Sequence, residues 1–281
     1  MRAFPVPALA LGLAAGCGGG SSGAPPAPCG TATAAPGTSC VARVEGSVVD
    51  FAGAAVPKAS VSMCSRSCYG AEGAADGTFS IAIGNYIDPT DYALHVSGRP
   101  DFADVYTKVG APSGTTITFA PVRVPRLPAS GPALPPDKGP ASSVESGDLR
   151  LDVPEGVTIA IDVADVELGA LGRELRVASV GLDQMPDFAE PLAGVVALYA
   201  LAPPSATSSA PLGVHLKNTG GLPALAAVEL YVLDDDYRPI PPTAGSARLA
   251  ATAHVSADGA SIDSDPGQGI ANLTWIVVRK K

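Results

Sequence analysis

The chain has 281 residues and carries 18 basic against 27 acidic side chains, for a formal net charge of −9 at pH 7. A chain this acidic repels phosphate backbones and anionic lipid surfaces, so we expect no nucleic-acid partner. Its length is sufficient for about two domains of ordinary size, and no later apolar segment is long enough to span a bilayer as a helix.

The first 16 residues have the pattern of an export signal. Arg2 supplies a short positive region, and an apolar stretch over residues 3–15 ends in small residues. The sequence LAAGC, residues 13–17, resembles the bacterial lipoprotein lipobox, in which the cysteine is lipidated and becomes the mature N-terminus. This resemblance implies a signal peptide over residues 1–16 and a lipid anchor on Cys17. Ordinary secretion with cleavage near the same point is the alternative.

Residues 17–40 are predicted to be a disordered, flexible tether, because their glycine- and proline-rich start holds too little apolar surface to collapse. Four cysteines remain beyond Cys17, and an even number in an exported chain indicates two disulfides, with three pairings open. Zinc is the alternative, although the spacing of the first two fits a structural zinc site poorly. The four disulfide candidates are Cys29, Cys40, Cys64 and Cys68.

Residues 41–126 contain short β-rich runs separated by turn signals such as Asp76-Gly77. The runs are VARVEGSVVD, ASVSMC, TFSIAI, YALHV and TTITFAPVRV. The sequence VEGSVVDFAGAAVPKASVSM, followed by ADGTFSIAI and DYALHVSG, resembles the carboxypeptidase regulatory-like module. That resemblance implies a small, transthyretin-like β-sandwich and says little about function.

Residues 127–146 are rich in proline and poor in apolar residues, which predicts a partly stiff linker that separates two rigid modules. Strand-like runs resume over residues 147–281, and Val228, Leu230 and Val232 alternate with polar or amphipathic neighbours as in a half-buried strand. The runs are LRLDV, VTIAIDV, ELRVASVGL, VVALYAL, LGVHLKN, AAVELYVLD, ARLAATAHV and NLTWIVV.

The pattern of residues 147–281 predicts a second antiparallel sandwich, with room for one short helix over residues 163–176. The sequences DVPEGV and LYALAPPSATSSAPLGVHLKNTGGLPALAAVELYVLD resemble the ZU5 β-sandwich. The predicted fold class is therefore all-β, with two antiparallel β-sandwich domains joined by a proline-rich linker after a signal peptide and a tether. The apolar run around Trp275 predicts that this side chain is buried.

No residue pattern indicates catalysis. The three histidines, His95, His215 and His254, stand singly in strand-like runs and are predicted to be hydrogen-bonded strand residues rather than ligands or bases. Acidic turns near the end of the chain are candidates for calcium, which prefers six to eight oxygen ligands, but solvated hairpin turns are the simpler interpretation. The calcium candidates are Asp234, Asp235, Asp236, Asp258, Asp263 and Asp265.

These patterns together favour a non-enzymatic lipoprotein of the bacterial cell envelope, in the outer membrane or at the cell surface. It is expected to contact the membrane through its lipid and to display β-sandwich modules for binding, adhesion or scaffolding, with a protein or glycan partner. The alternative is an accessory or divergent domain of a secreted hydrolase system. The low aromatic content counts against a platform that stacks sugars.

Overall fold

The computed structural model describes residues 29–30, 34–65, 67–189, 191–204, 206–234 and 245–281. Within these ranges the chain forms nineteen strands, one α-helix, α1 (Val163–Val166), and three short 3-10 helices. Most strand pairs are antiparallel, so the all-β prediction is confirmed. No helix in the described ranges is long and apolar enough to cross a membrane. The predicted signal peptide, Cys17 and most of the predicted tether lie outside the described residues.

The first eight strands form the N-terminal unit. They are β1 (Ser39–Asp50), β2 (Ser60–Cys64), β3 (Cys68–Glu72), β4 (Thr78–Ile87), β5 (Ala93–Ser97), β6 (Val105–Lys108), β7 (Thr116–Thr118) and β8 (Val122–Val124). One sheet has the order β4-β1-β7, with β8 also paired to β1, and the other has the order β3-β2-β5-β6. The predicted turn before β4 is present, and only glycine fits at Gly77, because its φ is 79° and a Cβ would lie 2.5 Å from the carbonyl oxygen of Val48.

The remaining strands form the C-terminal unit. They are β9 (Ser142–Ser146), β10 (Leu149–Val153), β11 (Ile159–Ala160), β12 (Arg176–Val180), β13 (Val195–Ala202), β14 (Ala206–Lys217), β15 (Ala227–Leu233), β16 (Ala247–Val255), β17 (Ser261–Ser264), β18 (Ile270–Leu273) and β19 (Trp275–Lys280). They make one sheet of order β12-β13-β19-β15-β16-β17-β14-β10-β9, with β11 and β18 on β14. Strands from both ends of this sheet contribute side chains to one apolar core, so the sheet curves around that core.

Strands β13 and β19 are buried on both faces. Tyr199 and Leu201 of β13 belong to the core of the C-terminal unit, whereas Leu198 and Ala200 pack into the core of the N-terminal unit. Strand β19 alternates in the same way, with Trp275 and Val277 toward the N-terminal unit and Ile276 and Val278 toward the other core. Burial on both faces explains the continuous apolar runs, since alternation is needed only where one face meets water.

Strand β5 of the N-terminal unit also has side chains of both faces buried. The four side chains from Ala93 to Val96 are all buried, although His95 is polar. Leu94 and Val96 belong to the same core cluster as Trp275 of β19. The core of the N-terminal unit therefore includes side chains from one face of the C-terminal sheet, which differs from the predicted pair of independent rigid modules.

Residues 127–146 pack along the C-terminal unit and do not form the predicted extended spacer. Leu127 and Leu134 are buried, and β9 pairs with β10 over its whole length. The backbone N–H of Leu175 donates to the carbonyl of Pro132 at 2.8 Å. A Cβ on Gly131 would lie 2.0 Å from the carbonyl oxygen of Leu175, so the two chain segments touch. Composition predicted local stiffness, but it could not show that this segment finds backbone partners.

The predicted strand boundaries agree most closely with the structure where apolar residues alternate regularly. Strands β10 and β16 match their predicted runs, whereas the predicted run over residues 157–163 shortens to the two residues of β11. Asp162 ends that run because its side chain caps α1, which is the short helix that the sequence allowed for. Strands β3, β6, β9 and β17 were not predicted; they are short, and β3, β9 and β17 have no more than two large apolar side chains each.

We expect the whole chain to unfold in one cooperative transition, because separation of the units would expose Trp275 and Val277 to water. Calorimetry of the whole chain and of residues 29–126 and 147–281 expressed separately measures this. Neither fragment should reproduce the transition of the whole chain. Two transitions that match those of the isolated fragments would contradict the shared interior.

Candidate binding site

Buried charged side chains lie where the two units meet. Asp104, directly before β6, is 3% exposed. His95 Nε2 lies 2.9 Å from its Oδ2, and Arg99 Nη2 donates to the same oxygen at 2.7 Å. A buried carboxylate is costly unless it is paired and hydrogen-bonded, so these contacts are what allows Asp104 to be enclosed.

Arg99 extends this group of charges into the C-terminal unit. Its Nη1 lies 3.2 Å from Asp162 Oδ1 and 3.3 Å from Asp165 Oδ2. Asp162 Oδ1 also accepts a hydrogen bond from the backbone N–H of Ala164 at 2.9 Å, as the N-cap of α1. One guanidinium thus joins three carboxylates from two units. We call His95, Arg99, Asp104, Asp162 and Asp165 the inter-unit charge cluster.

Further hydrogen bonds cross the same boundary. Trp275 Nε1 donates to the backbone carbonyl of Asp104 at 2.7 Å, and Arg176 Nη1 donates to the backbone carbonyl of Pro100 at 2.7 Å. Phe188 packs edge-on against the indole, with 5.2 Å between ring centroids. A buried indole N–H needs an acceptor, and here the N-terminal unit supplies it to a strand of the C-terminal unit.

Two acids of the cluster have pKa values shifted in opposite directions. Burial raises the pKa of Asp104, but the hydrogen bond and charge of His95 and the charge of Arg99 outweigh it and hold that pKa at about 2. Burial also raises the pKa of Asp165, to about 7; Arg99 opposes this shift, and the negative charges of Asp104 and Asp162 add to it. Asp104 is therefore ionised at neutral pH, whereas Asp165 is protonated in a large fraction of molecules.

A groove of about 460 Å³ lies beside this cluster. Residues 105–107 of β6 line it, together with residues 119–123, which run into β8. The C-terminal unit closes the groove with residues 183–187. Tyr106 connects the groove to the charge cluster, because its ring stacks on His95 with 4.3 Å between centroids. We call this feature the inter-unit groove.

The inter-unit groove begins where two hydrogen-bonded segments, residues 101–103 and residues 125–127, separate from each other. The backbone N–H of Ala103 donates to the carbonyl of Pro125 at 3.0 Å, and that of Leu127 donates to the carbonyl of Asp101 at 2.8 Å. Past these bonds, among the described residues, β6 pairs with β5 alone and β8 with β1 alone. Both strands line the same groove.

The rim of the groove is polar. Asp183, Asp187 and Arg123 are exposed, and the hydroxyl of Thr107 donates to Asp187 Oδ2 at 3.1 Å. This bond holds the wall from the C-terminal unit against β6. A smaller cavity of about 230 Å³ continues beyond Thr107 and Asp187. The groove lining thus combines apolar and polar side chains, as ligand-binding grooves do.

The structure places all three histidines in strands beside carboxylates. They are His95 in β5, His215 in β14 and His254 in β16. His215 Nε2 lies 2.7 Å from Asp152 Oδ2, and its Nδ1 lies 2.7 Å from Asp263 Oδ1, so the ring joins the two strands beside its own. His254 Nδ1 lies 2.6 Å from Asp265 Oδ1. The sequence placed these histidines in strands but did not reveal their acidic partners, which are distant in sequence for His215.

The calcium candidates that the structure describes have separate partners. Asp234 Oδ1 accepts from Arg248 Nε at 2.7 Å, and Asp258 accepts from the hydroxyl of Ser256 and the backbone of Ala260. The remaining two, Asp263 and Asp265, face His215 and His254, and Asp265 also accepts from Thr252. Across the described ranges no group of three His, Cys, Asp or Glu residues could hold a metal ion. Asp235 and Asp236 lie outside the described residues.

The four cysteines beyond Cys17 form two disulfides. Cys29 pairs with Cys40, which joins the chain before the first strand to β1. Cys64 pairs with Cys68, which closes the turn between β2 and β3. This confirms the prediction of two bridges and selects one of the three pairings that the spacing left open.

No protein-family model matches this chain, and no curated protein is significantly similar to it. The resemblances to the lipobox, the carboxypeptidase regulatory-like module and the ZU5 module therefore rest on the sequence motifs that carry them. The inter-unit groove and charge cluster are interpreted from their own geometry.

We expect Asp165→Asn to stabilise the protein at neutral pH and to have little effect below pH 4. The raised pKa favours the protonated carboxyl of Asp165 in the folded wild-type protein. The contribution of that protonated carboxyl to wild-type stability is complete below the usual pKa of 3.8 and is lost as pH rises through about 7, whereas the asparagine of the variant does not ionise. The shift corresponds to up to about 4 kcal/mol at alkaline pH. Denaturant unfolding at pH 4 to 8 measures the difference from wild type.

The matched control for this experiment is Glu167→Gln, an exposed acid that follows α1. It should leave the pH profile of the unfolding free energy unchanged. Arg99, Asp104, Asp162 and Arg176 remain in the Asp165→Asn variant, so their contributions persist. Identical pH profiles for wild type and Asp165→Asn would contradict the assignment.

Proposed function

We propose that the protein is an exported, non-enzymatic binding protein of the bacterial cell envelope, held to the membrane by a lipid on Cys17. The observation that carries this proposal is the pair of disulfides, Cys29–Cys40 and Cys64–Cys68. Disulfides persist in the periplasm and at cell surfaces and are rare in the bacterial cytoplasm. The apolar leader that ends at a cysteine supports the anchor and an outer-membrane or cell-surface location.

A binding role is supported by how the ionisable side chains are used. His215 and His254 tie neighbouring strands together through carboxylates, and Arg99 ties the two units together. Catalysis by nucleophile and base needs such groups to face a substrate cavity. Among the described residues, the lining of the inter-unit groove combines aromatic and aliphatic side chains with acidic, basic and amide groups but includes no histidine, serine or cysteine, a composition suited to recognition.

We also infer that the two units are variants of known modules. The two small sheets of the N-terminal unit support the resemblance to the carboxypeptidase regulatory-like module. The strand-rich C-terminal unit supports the ZU5-like interpretation. Because the units share an interior, they would act as one rigid presenting body rather than as two linked ones.

A fatty-acid probe fed to an expressing bacterium should label the wild-type protein and leave Cys17→Ser unlabelled, because the thiol is the acceptor of the lipid. The matched control is Ser22→Ala, a change in the same tether that should not affect labelling. Detergent partitioning should follow the label, with Cys17→Ser in the aqueous phase. Absence of label on the wild type would overturn the anchor.

Purified full chain should show no turnover of peptide, ester or glycan substrates above a heat-denatured sample. His215→Gln supplies the control, because this histidine has two carboxylate neighbours and would be the first group expected to act as a base. Turnover by the wild type that this substitution removes would contradict the non-enzymatic proposal and favour a hydrolase.

A further inference from the structure

We propose that the protein cross-links itself through an ester bond between the hydroxyl of Thr252 and the side-chain carbonyl of Gln268, with Asp265 as the base. The reaction releases ammonia and ties β16 to the turn between β17 and β18. It requires neither the lipid anchor nor a binding partner. We call Thr252, Asp265 and Gln268 the cross-link site.

A tight turn places Asp265 and Gln268 side by side. Residues 265–268 are Asp-Pro-Gly-Gln, and proline followed by glycine is typical of the centre of a type II turn. The φ of Gly267 is 76°, and the backbone N–H of Gln268 donates to the carbonyl of Asp265 at 2.9 Å. The first and fourth residues of the turn are thereby adjacent, and both side chains contact Thr252 of β16.

The turn is fixed against the strands on either side of it. The backbone N–H of Asp265 donates to the carbonyl of Thr252 at 3.0 Å, which holds the start of the turn on β16. At its end, a Cβ on Gly269 would lie 1.9 Å from the carbonyl oxygen of Leu212, so the chain packs directly on β14. Groups held in this way have already lost the freedom that a reaction between separate molecules must remove.

The hydroxyl of Thr252 faces a base. It donates to Asp265 Oδ2, and the other oxygen of Asp265 lies 2.6 Å from His254 Nδ1. The hydrogen bond from Thr252 lowers the pKa of Asp265, so the carboxylate is ionised at neutral pH and can accept a proton. A nucleophile within hydrogen-bond reach of a base, which is itself held by a third group, is the arrangement of nucleophilic catalysis.

The lone pairs of the same hydroxyl face the amide. A hydroxyl has one proton, and a carboxylate accepts it more strongly than an amide does. The proton of Thr252 is therefore directed to Asp265, and Gln268 Oε1 lies 3.1 Å from Oγ1 on the side that remains. The carbon to be attacked is bonded directly to Oε1, so nucleophile and carbonyl group are already in contact.

The amide of Gln268 is polarised by the backbone. The N–H of Thr252 donates to Gln268 Oε1 at 2.7 Å, and because an N–H needs an acceptor this bond identifies the amide oxygen. A donor in this position draws electrons from the amide carbon. It also stabilises the negative charge that develops on the oxygen during attack, as a donor of an oxyanion hole does.

The reaction balances without a co-reactant. Thr252 Oγ1 bonds to Cδ of Gln268 while Asp265 takes the hydroxyl proton, and an electron pair moves to Oε1. The intermediate collapses when the bond from Cδ to Nε2 breaks, and Asp265 returns the proton to the leaving nitrogen. The products are the ester and ammonia, which becomes ammonium in water and diffuses away. Each molecule reacts once, so no turnover of added substrates accompanies the cross-link.

The cross-link adds a covalent tie to the C-terminal unit. Both disulfides of the described chain lie in the N-terminal unit or directly before it. The ester closes the loop of residues 252–268 and holds β16 to the turn that follows its neighbour β17. Unlike the disulfides, it is not opened by a thiol reductant.

Mass spectrometry of the full chain, reduced and digested with trypsin, tests the cross-link. Residues 249–279 form one tryptic peptide, because Arg248 and Arg279 flank a stretch without Lys or Arg. We expect this peptide to be lighter than its sequence by one ammonia, about 17 Da, the group that the nucleophile displaces. Further cleavage at Asp258 and Asp263 should leave two pieces joined until hydroxylamine opens the ester.

Variants separate the roles of the residues. Thr252→Val lacks the nucleophile and should give the peptide at its full mass, whereas Thr252→Ser should still lose ammonia. Asp265→Asn should form the cross-link at least about a hundredfold more slowly in a pulse–chase experiment, because it lacks the base. The matched control is Gln184→Glu, which changes the other glutamine of the chain and should leave the loss of ammonia intact.

Any of four results overturns the proposal. These are a wild-type peptide at its full mass, loss of ammonia that persists in Thr252→Val, pieces that separate without hydroxylamine, and a wild-type rate in Asp265→Asn. The first and third need no variant, so they decide the question even if a substitution disturbs folding. Fatty-acid labelling and the turnover assay judge the proposed envelope lipoprotein separately, since neither depends on this bond.

Discussion

The rest of the structure depends on covering one face of β13 and β19. Alternate residues of these strands belong to different cores, so the C-terminal sheet cannot stand alone without exposing Leu198, Trp275 and Val277 to water. Each large apolar side chain on that face contributes roughly 1.5–3 kcal/mol when it is buried. The N-terminal unit supplies the cover, and the stability of each unit is consequently coupled to that of the other.

The inter-unit charge cluster follows from this burial. Once water is excluded from the junction, a polar group there must find a partner on the opposite unit or be left unsatisfied. Arg99 meets this requirement by reaching Asp162 and Asp165 in the C-terminal unit as well as Asp104 in its own. Such a cluster adds little net stability, because desolvation offsets attraction, but it penalises any docking that leaves one charge alone. Burial is the main cause of the raised pKa of Asp165, and the negative charges of Asp104 and Asp162 add to it, while Arg99 opposes it.

Local patterns predicted the strands but not how they are layered. Alternation in β10, β15 and β16 and the glycine turn before β4 could be found because the signals lie within a few residues. The apolar run of β13 indicated burial but could not show which surface covers its second face, since that surface includes side chains of the N-terminal unit, which lie far earlier in the chain. The proline-rich segment misled for the same reason: its backbone partners near Leu175 are far along the chain. The charge cluster was missed because its members are separated by up to 70 residues and match no motif.

The inter-unit groove is a product of the same docking. Residues 105–107 and 119–123 of the N-terminal unit line it together with residues 183–187 of the C-terminal unit. The bond between the Thr107 hydroxyl and Asp187 joins the two parts of this lining. Because neither unit supplies the whole lining, a change that separates the units would remove the groove together with the buried contacts of Trp275 and Val277.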